Sequence, residues 1–525
     1  MTIQLTLLPR ELQVLILCRL DLRDCSVLTS VCHSLHDLVR GTPSLQYPIE
    51  LAAGGMCDNP HGTDTSISEH LKNLRLHLGA WFTLRWTSDM FFHAPPGNAL
   101  LCEQGLVMFE QKRDSLIKGI GFNVHQLPAS TRNVVYGHWT VTPGIDKESS
   151  LGSEVYAVRA PSGLSYGMLM RGRMVDGDCR STPRKTYSFF GGVKHPPKLT
   201  LTSTHYRRDC DTHSQSARAQ FIRGDWICVL DRDVMIFTWK TGRRSTYYST
   251  QARLTDCIFL DDSHLAVMVA GISPSPAVLL VYELPNASSD GDALYPSNLP
   301  VLAFVFPAIH DASATRTEWR LTCGSASSAA RSSRAGAGDF CADPKETMIM
   351  VLFRLGDLGY ELIVPTRRLL EFLPGRIDDI HISRTMFSSR DVPWSEWGPR
   401  YAYLRSATFD EGALRATIFG MRRVLHRPII SGGKLAVVVQ DLFRPRVLHA
   451  AATSSLSYAV CRSQPVVGPW LDSATIQTEV SYVETVQELP ISCQGKDPQD
   501  VGVSINEDGL VITGSNEAIV ETHTF

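Results

Sequence analysis

Residues 260–284 read LDDSHLAVMVAGISPSPAVLLVYEL, in which two apolar runs alternate with two polar turns. The first turn is acidic and the second is rich in Gly, Ser and Pro, which are residues that tight turns favour. The apolar run from Leu265 to Ile272 is far shorter than the roughly 20 residues needed to cross a bilayer, so it has the length of a strand. The stretch therefore predicts two antiparallel strands joined by short turns.

The same pattern recurs in four other segments of the chain, which are 224–242, 346–364, 401–419 and 505–523. A flat sheet of so many strands would leave unprotected edges, whereas radial repetition into blades protects them. At about 40–50 residues per four-stranded blade, we expect a mainly β fold in which residues 89–525 form a β-propeller of about seven blades, with six to eight possible. We also expect strand 518–525 to pair beside an early strand near 100–110 and close the ring. Two stacked β domains are the alternative.

Residues 8–39, LPRELQVLILCRLDLRDCSVLTSVCHSLHDLV, have a different pattern. Pro9 suits the first turn of a helix, and the acidic segment 21–24 indicates a break followed by a new helix start. Two apolar stripes at helical spacing flank that break: Leu12, Leu15, Ile16 and Leu20, then Leu28, Val31, Cys32, Leu35 and Val39. So small a unit cannot bury its own apolar faces, so either the rest of the chain or another protein covers them.

The order of these residues resembles an F-box, a three-helix module that docks on a Skp-family adaptor of cullin-RING ubiquitin ligases. The resemblance covers about residues 6–45 and includes Leu8-Pro9, Glu11-Leu12, Asp21-Leu22 and Val31-Cys32. The tryptophan often found near the third helix is absent, since Leu35 or His36 occupies its place. The resemblance implies a set of adaptor contacts in which Val31 and Leu35 also support the module's own packing in part. The set is Leu8, Pro9, Leu12, Ile16, Leu20, Leu22, Val31 and Leu35.

Two further segments extend the resemblance. The block GDWICVLDRDVMIFTWKTG at 224–242 and the stretch PWSEWGP at 393–399 are similar to parts of a large group of fungal F-box proteins with propeller-like C-terminal repeats. Substrates within that group are diverse. The resemblance therefore implies a substrate receptor of an SCF-type ligase, joined to a cullin through the adaptor, without indicating which protein it targets.

The region between the module and the strands is expected to be a connector followed by a helix. Residues 41–65 contain several Gly and Pro, with a possible short strand at 49–53, and residues 66–86 carry leucines and tryptophans at helical spacing. We therefore divide the chain into an F-box-like module at 1–45, a connector and linker helix at 46–88, and the propeller-like domain at 89–525.

Composition excludes several classes of partner. The net charge is −2 and the pI about 6.8, so the chain has no electrostatic footprint for nucleic acid or for an anionic membrane surface. The 13 cysteines include no CxxC pair, which favours the cytoplasm or nucleus. Arg10 and Glu11 interrupt the only signal-peptide-like run. Cys18, Cys25 and Cys32 recur every seven residues, and we interpret them as small packing residues and not as metal ligands. We expect no cofactor and no metal.

Signals for an enzyme are weak. The sequence has no P-loop, GxSxG, HExxH or EF-hand pattern. Cys210, Asp211 and His213 lie close together, as do Asp261, Asp262 and His264, but closeness in sequence does not show a nucleophile–base pair. The acidic turns at 231–233 and 261–262 are interpreted as hairpin turn chemistry. Four tryptophans could line a sugar-binding face but are more typical of strand cores: Trp226, Trp239, Trp394 and Trp397. We therefore expect a non-catalytic receptor. The alternatives are a propeller hydrolase or carbohydrate-binding protein with the helices as a cap, and a scaffold that binds the adaptor without degradation.

Overall fold

The structure is a computed structural model of the 525-residue chain. It describes residues 5–20, 22–59, 65–93, 99–103, 106–112, 120–141, 152–159, 166–173, 186–191, 219–223, 226–230, 234–238, 244–247, 253–270, 276–284, 300–307, 319–323, 338–355, 358–373, 390–407, 418–429, 434–453, 458–468, 475–490, 501–514 and 519–525.

Most helices lie in the first sixth of the chain. The described helices are α1 Arg10–Leu17, α2 Leu22–Leu28, α3 His33–Arg40, α4 Pro43–Ala53, α5 Ile67–Thr83, α6 Thr366–Leu370, α7 Trp394–Tyr401 and α8 Arg444–Ala452. Short 3-10 turns occupy Leu5–Leu7 and Ser130–Arg132. Helices α1, α3 and α4 share one small core that consists of Leu17, Leu35, Leu38, Val39 and Leu45, and Leu28 of α2 packs against it.

Helix α4 replaces part of the expected connector. Residues 49–53, expected as a possible strand, belong to this helix, so that expectation is wrong. Pro43 stands in the first turn of α4, where its missing N–H is harmless, and the helix ends at Gly54. Gly55 follows with a positive φ of 62°, which reverses the chain into the strand Met56–Asp58. Pro43 and Gly54 therefore mark the two ends of a helix, and Pro48 lies inside it.

Helix α5 confirms the helix predicted within residues 66–86. Ser66 caps its start, because the Ser66 hydroxyl accepts the Glu69 N–H at 3.3 Å. The helix ends at Leu84, which adopts the left-handed conformation. Its inner face is buried through Leu71, Leu74 and Trp81.

The β region contains seven described sheets of three or more strands. The terminal sheet combines Ser88–His93, Ile519–Thr524, Gly509–Gly514 and Val501–Ile505 in that order. Sheet 1 contains Ala99–Glu103, Leu106–Lys112, Ile120–Gln126 and Gly137–Val141. Sheet 2 contains Gly152–Arg159, Tyr166–Arg173 and Thr186–Gly191. Sheet 3 contains Ala219–Arg223, Trp226–Leu230, Val234–Thr238 and Arg244–Tyr247.

The remaining sheets follow along the chain. Sheet 4 contains Arg253–Phe259, His264–Ala270, Val278–Glu283 and Leu302–Val305, with Arg390–Val392 added in parallel. Sheet 5 contains Trp319–Cys323, Met348–Leu355, Leu358–Pro365 and Tyr403–Ala407. Sheet 6 has the order Ile418–Phe419, Arg422–Ile429, Lys434–Asp441, Ser481–Pro490 and Ala459–Arg462. Two ribbons complete the set: Met56–Asp58 with Phe340–Ala342, and Val466–Val467 with Thr475–Ile476.

The hairpins predicted at 224–242, 260–284, 346–364 and 505–523 are confirmed as antiparallel neighbours. The hairpin predicted at 401–419 is wrong, because Tyr403–Ala407 ends sheet 5 whereas Ile418–Phe419 begins sheet 6.

The predicted partner of the last strand is also wrong. Ile519–Thr524 pairs with Ser88–His93, the strand that directly follows α5, and not with a strand near 100–110. Leu106–Lys112 has neighbours on both sides within sheet 1, and Ala99–Glu103 is the edge strand of that sheet and pairs only with Leu106–Lys112. The expectation that the last strand meets an early one holds, but the early strand is the one before sheet 1.

Sheets 3 to 6 pack through their first strands, and sheet 6 packs on the edge strand of the terminal sheet that lies opposite Ser88–His93. Arg253–Phe259 of sheet 4 contacts Ala219–Arg223 of sheet 3 and Trp319–Cys323 of sheet 5. Ile418–Phe419 of sheet 6 in turn contacts Trp319–Cys323 and Val501–Ile505 of the terminal sheet. Each interface contains a buried apolar cluster, so sheets 3, 4, 5 and 6 and the terminal sheet form one continuous packed series.

Candidate functional site

The most prominent surface feature is a set of exposed apolar side chains on the N-terminal helices. We call it the N-terminal apolar surface; its members are between 38% and 78% exposed, and they are Leu7, Leu12, Leu15, Ile16, Leu20, Val27 and Val31. A concentration of exposed apolar side chains within one short segment of a folded protein is typical of an interaction site. The sequence left open whether the rest of the chain covers these apolar side chains, and the described residues do not cover them.

Helix α1 creates this surface because it is apolar on two sides. Leu17 is fully buried in the small core of the module, and Val14 packs against the same core. Leu15 and Ile16 then point away from that core and remain 62% and 41% exposed. The start of the helix is held by Gln13, whose side-chain amide donates to the Leu8 carbonyl at 2.6 Å. The module therefore has a packed apolar core on its inner side and exposed apolar side chains on its outer side.

The structure places most of the predicted contact residues on or beside this surface. Leu12, Ile16, Leu20 and Val31 are exposed members of it; Pro9 is exposed as the cap of α1 and Leu8 is half-buried. Leu22 begins α2, but its side chain lies outside the described residues.

Leu35 differs from the other predicted contacts. It is only 4% exposed and belongs to the core of the module beside Leu17. We therefore remove it from the contact set and assign it to internal packing. Leu7, Leu15 and Val27 are exposed but were missing from the predicted contacts. Leu15 belongs to the same helical stripe as Leu12 and Ile16, so the spacing of apolar residues alone could have predicted it as a contact residue.

Comparison with known families identifies this part of the chain. Residues 5–47 match the family model of the F-box domain. The chain carries an F-box domain. No curated protein matches the chain. The match spans α1 to α3 and the start of α4, and it includes every member of the N-terminal apolar surface.

Only one of the three evenly spaced cysteines of the F-box domain packs inside it. Cys25 is buried, and its thiol donates to the Leu17 carbonyl at 3.2 Å. Cys18 and Cys32 are exposed, so their interpretation as packing residues is wrong. Among the described residues, no group of three His, Cys, Asp or Glu side chains is placed to hold a metal ion.

The F-box domain is joined to the β region through α4 and α5. These helices contribute Tyr47, Leu51, Leu74 and Trp81 to a buried cluster that also contains side chains of sheet 6 and the terminal sheet. Phe525 packs edge-on against Trp81, with ring centroids 4.7 Å apart. Because α4 and α5 share this core with the strands, the apolar surface is carried on an arm fixed to the β region.

Polar contacts reinforce that attachment. The Arg446 guanidinium of α8 donates to the Gly54 carbonyl at 2.7 Å, at the end of α4. The Asn59 side chain donates to the Gly338 carbonyl at 2.7 Å. On the outer face, the Arg75 guanidinium of α5 donates to the Glu50 carboxylate of α4 at 2.6 Å, which ties the two helices together. The hydrogen bond to Glu50 raises the pKa of Arg75 further above its usual value.

Among the described residues, the side chains considered as candidates for an enzyme site have turn or packing roles. Asp261 accepts the Ser263 N–H at 2.7 Å and lies 2.8 Å from His264 Nδ1, so it performs the turn role predicted for it. Trp226 and Trp397 are buried. Trp394 and Trp397 lie in α7, so the expectation that they are strand residues is wrong. The other candidates lie outside the described residues: Cys210, Asp211, His213, Trp239 and 231–233.

The Trp397 indole N–H donates to the Val305 carbonyl at 3.1 Å. A ring held in this way supports the core of sheet 4 and has no face free for a sugar.

None of the described helices is both long enough and apolar enough to span a membrane.

Proposed function

We propose that the chain is a substrate-recognition subunit of an SCF-type ubiquitin ligase. Its F-box domain binds a Skp-family adaptor, the adaptor connects it to a cullin, and the β region holds a target protein. The chain itself performs no chemistry in this role, because partner proteins transfer the ubiquitin. It acts by raising the effective concentration of target lysines near the conjugating enzyme.

The observation that carries the proposal is the N-terminal apolar surface within the matched F-box domain. Leu12, Leu15 and Ile16 on one helix leave apolar area in contact with water, and a partner that covers it gains about 25 cal/mol per Å². Helix α4 packs against the inner side of the F-box domain through Leu45 and Ile49, and it leaves this surface open.

The test is binding to a purified Skp-family adaptor. Leu12→Ala with Ile16→Ala removes two exposed anchors, each worth roughly 1–4 kcal/mol at an interface, so affinity should fall at least tenfold. The melting temperature should stay unchanged, because neither side chain is buried. Leu76→Ala and Leu448→Ala are matched controls, since these leucines are 55% and 60% exposed but lie on α5 and α8. Retained adaptor binding in the double variant would contradict the proposal.

Two other functions are less well supported. In a capping role, the helices would bury the apolar stripe of α1 against the strands, but Leu15 and Ile16 are exposed. A carbohydrate-binding face built from tryptophans is opposed by the burial of Trp226 and Trp397. A non-degradative scaffold would bind the adaptor equally well. It differs from a receptor in that no bound protein would become ubiquitinated when adaptor, cullin and conjugating enzyme are supplied.

We further propose that the seven sheets are blades of one closed β-propeller. The support is that first strands meet first strands from sheet 3 to sheet 6, and the first strand of sheet 6 meets the edge strand Val501–Ile505 of the terminal sheet, as inner strands do around an axis. The terminal sheet also joins residues 88–93 to 519–524, which is how a ring closes. Class averages from electron microscopy of the adaptor complex should show one ring with seven lobes. Two separate β bodies would contradict this architecture.

A further inference from the structure

Two cysteines face each other where the helical arm meets the β region. Cys57 and Cys341 are direct partners in the ribbon formed by Met56–Asp58 and Phe340–Ala342. Their sulfur atoms are 3.3 Å apart. A disulfide bond length is about 2.05 Å, so the sulfurs need to approach each other by only about 1.2 Å.

The backbone around the pair suits a disulfide. The Asn59 N–H donates to the Asp339 carbonyl at 3.1 Å, and the Asp343 N–H donates to the Gly55 carbonyl at 2.9 Å. Because hydrogen-bonded and non-hydrogen-bonded pairs alternate along an antiparallel ladder, Cys57 and Cys341 occupy a hydrogen-bonded pair, with Cα atoms about 5.5 Å apart. That separation lies inside the range that disulfides span.

The two thiols differ in their access to solvent. Cys57 is half-buried, whereas Cys341 is only 6% exposed. The hydrogen bond with Cys57, together with burial, raises the pKa of the Cys341 thiol well above its ordinary value. Since the thiolate is the nucleophile, Cys57 is the thiol that meets an oxidant from solvent. Cys341 is then positioned to resolve the product.

We propose that Cys57 and Cys341 form a redox-modification site that hydrogen peroxide converts into a reversible disulfide. The Cys57 thiolate attacks one peroxide oxygen, the O–O bond breaks, and the departing hydroxide takes a proton to become water. The Cys341 sulfur then displaces the hydroxyl group of the Cys57 sulfenic acid as its own proton leaves, which forms the S–S bond and a second water. Two thiols are oxidised and one peroxide is reduced to two waters; two molecules of a small thiol, becoming a disulfide themselves, reverse the change.

The bond would connect distant parts of the chain. Cys57 follows α4 and precedes α5, whereas Cys341 lies 284 positions later, just before the second strand of sheet 5. Oxidation therefore adds a covalent staple between the arm that carries the F-box domain and the β region. This inference concerns the thiols alone and does not depend on the proposed ligase function.

A second pair of cysteines provides an internal control. Cys228 of sheet 3 and Cys257 of sheet 4 have sulfur atoms 3.4 Å apart, nearly the same separation. Both are fully buried, so peroxide in solution cannot reach either sulfur while the protein is folded. If the sulfur–sulfur distance alone decided which cysteines are oxidised, both pairs would form disulfides. If access of peroxide to a sulfur is also required, only Cys57 and Cys341 form one.

The experiment treats the folded full-length chain with hydrogen peroxide, blocks remaining thiols with an alkylating reagent, and maps peptides without reduction. We expect one cross-linked peptide pair containing Cys57 and Cys341, with the loss of two alkylatable thiols. Because the disulfide closes a loop of more than half the chain, the denatured protein should also migrate faster on a non-reducing gel. Dithiothreitol should reverse both changes.

Variants separate the two sulfur roles. Cys57→Ser should abolish the cross-link and the gel shift, whereas Cys461→Ser, which removes another half-buried thiol, should leave both intact. Cys341→Ser should trap the Cys57 sulfenic acid, which a dimedone probe detects, and this readout still applies if Cys57→Ser does not fold. A cross-link between Cys228 and Cys257 instead, or peroxide-treated wild type without a Cys57–Cys341 cross-link, would overturn the inference.

Discussion

Arg132 and Asp508 form a buried ion pair, with Nη1 and Oδ1 2.7 Å apart, although 376 positions separate them in sequence. Arg132 lies in the 3-10 turn between two strands of sheet 1, and Asp508 lies in a turn of the terminal sheet. The same guanidinium contacts Glu507 at 2.8 Å and donates through Nε to the Phe340 carbonyl at 2.8 Å. One side chain therefore links sheet 1, the terminal sheet and the ribbon that carries Cys341.

Replacing Arg132 should destabilise the β region strongly. Arg132→Met would leave two carboxylates, Glu507 and Asp508, buried without their cation, and breaking a buried pair costs about 3–5 kcal/mol. Equilibrium denaturation in urea measures the loss. The control is Lys72→Ala, which removes an exposed pair with Glu69 and should change the free energy of unfolding by less than about 1 kcal/mol. Equal effects of the two variants would contradict the importance of the buried pair.

Two neighbouring leucines should separate folding of the F-box domain from its surface. Leu17→Ala removes a fully buried side chain and should cost about 2–5 kcal/mol. Leu15→Ala alters a side chain that is 62% exposed, so the folded state should keep its stability. Hydrogen exchange over residues 5–47 measures both, with protection reduced only in the first variant. Reduced protection in Leu15→Ala would mean that the outer stripe is also part of the core.

Phe525 should be essential for anchoring α5. Its ring is fully buried, stacks on Trp86 with centroids 4.8 Å apart and meets Trp81 edge-on. Phe525→Ala should therefore lower the free energy of unfolding by about 3–5 kcal/mol. Phe91→Ala is the matched control, because Phe91 lies in the same sheet but is 55% exposed. Thermal melting distinguishes the two, and a normal melt for Phe525→Ala would contradict the packing described.

Acid should destabilise the fold through His77. Its ring is fully buried, with Nδ1 3.1 Å from the Thr131 hydroxyl oxygen. Burial, with the charges of Arg132, Arg422 and Arg446 nearby, lowers the pKa of His77 well below 6.5. The unfolded chain takes up a proton there below about pH 6.5 and the folded chain does not, so the free energy of unfolding falls as pH drops, by up to about 1.4 kcal/mol per pH unit. Melting between pH 7.5 and 5 should show less acid loss in His77→Gln than in wild type.

His523 should show the opposite sign and serves as the comparison. Burial lowers its pKa, but ion pairs with Glu521 at 3.1 Å and Asp89 at 2.7 Å outweigh it and raise the pKa overall. Its contribution to stability is therefore complete below the unfolded pKa and is lost as pH rises through the folded pKa. His523→Asn should thus lose most stability, relative to wild type, at the acidic end of the same series. Parallel pH curves for the two histidine variants would contradict both assignments.

Local patterns predicted much of this fold. Ser66 and the leucine spacing after it placed α5, and acidic or Gly-rich turns between apolar runs placed four hairpins. These features depend on residues within a few positions of one another. The partner of Ile519–Thr524 could not be read in the same way, because its pairing with Ser88–His93 joins segments more than 400 residues apart and either candidate strand has suitable apolar residues.

The sequence predicted the location of the site but not all of its contact residues. The reason is different from the one that applies to the strand pairing. Helix α1 is apolar on both sides, so its period shows a helix without showing which side faces inward. The structure turns Leu17 inward and leaves Leu15 outward. The family pattern at Leu35 is compatible both with contact to a partner and with burial in the core. Only the packing of α1 and α4 around Leu35 shows that it is a core residue.

The pairing of Ser88–His93 with Ile519–Thr524 also determines the order of events on the ribosome. The early strand emerges from the exit tunnel long before its partner is translated, and at about 5–20 residues per second this delay lasts roughly 20–90 s. Throughout that interval one edge of the early strand remains unpaired and open to association with other chains. The small core of the F-box domain, by contrast, is made only of residues that precede this strand: Leu17, Leu35, Leu38, Val39 and Leu45. Newly made protein therefore passes through a stage in which the N-terminal apolar surface exists while the β region is still incomplete. We expect chaperones to bind the chain most strongly at that stage.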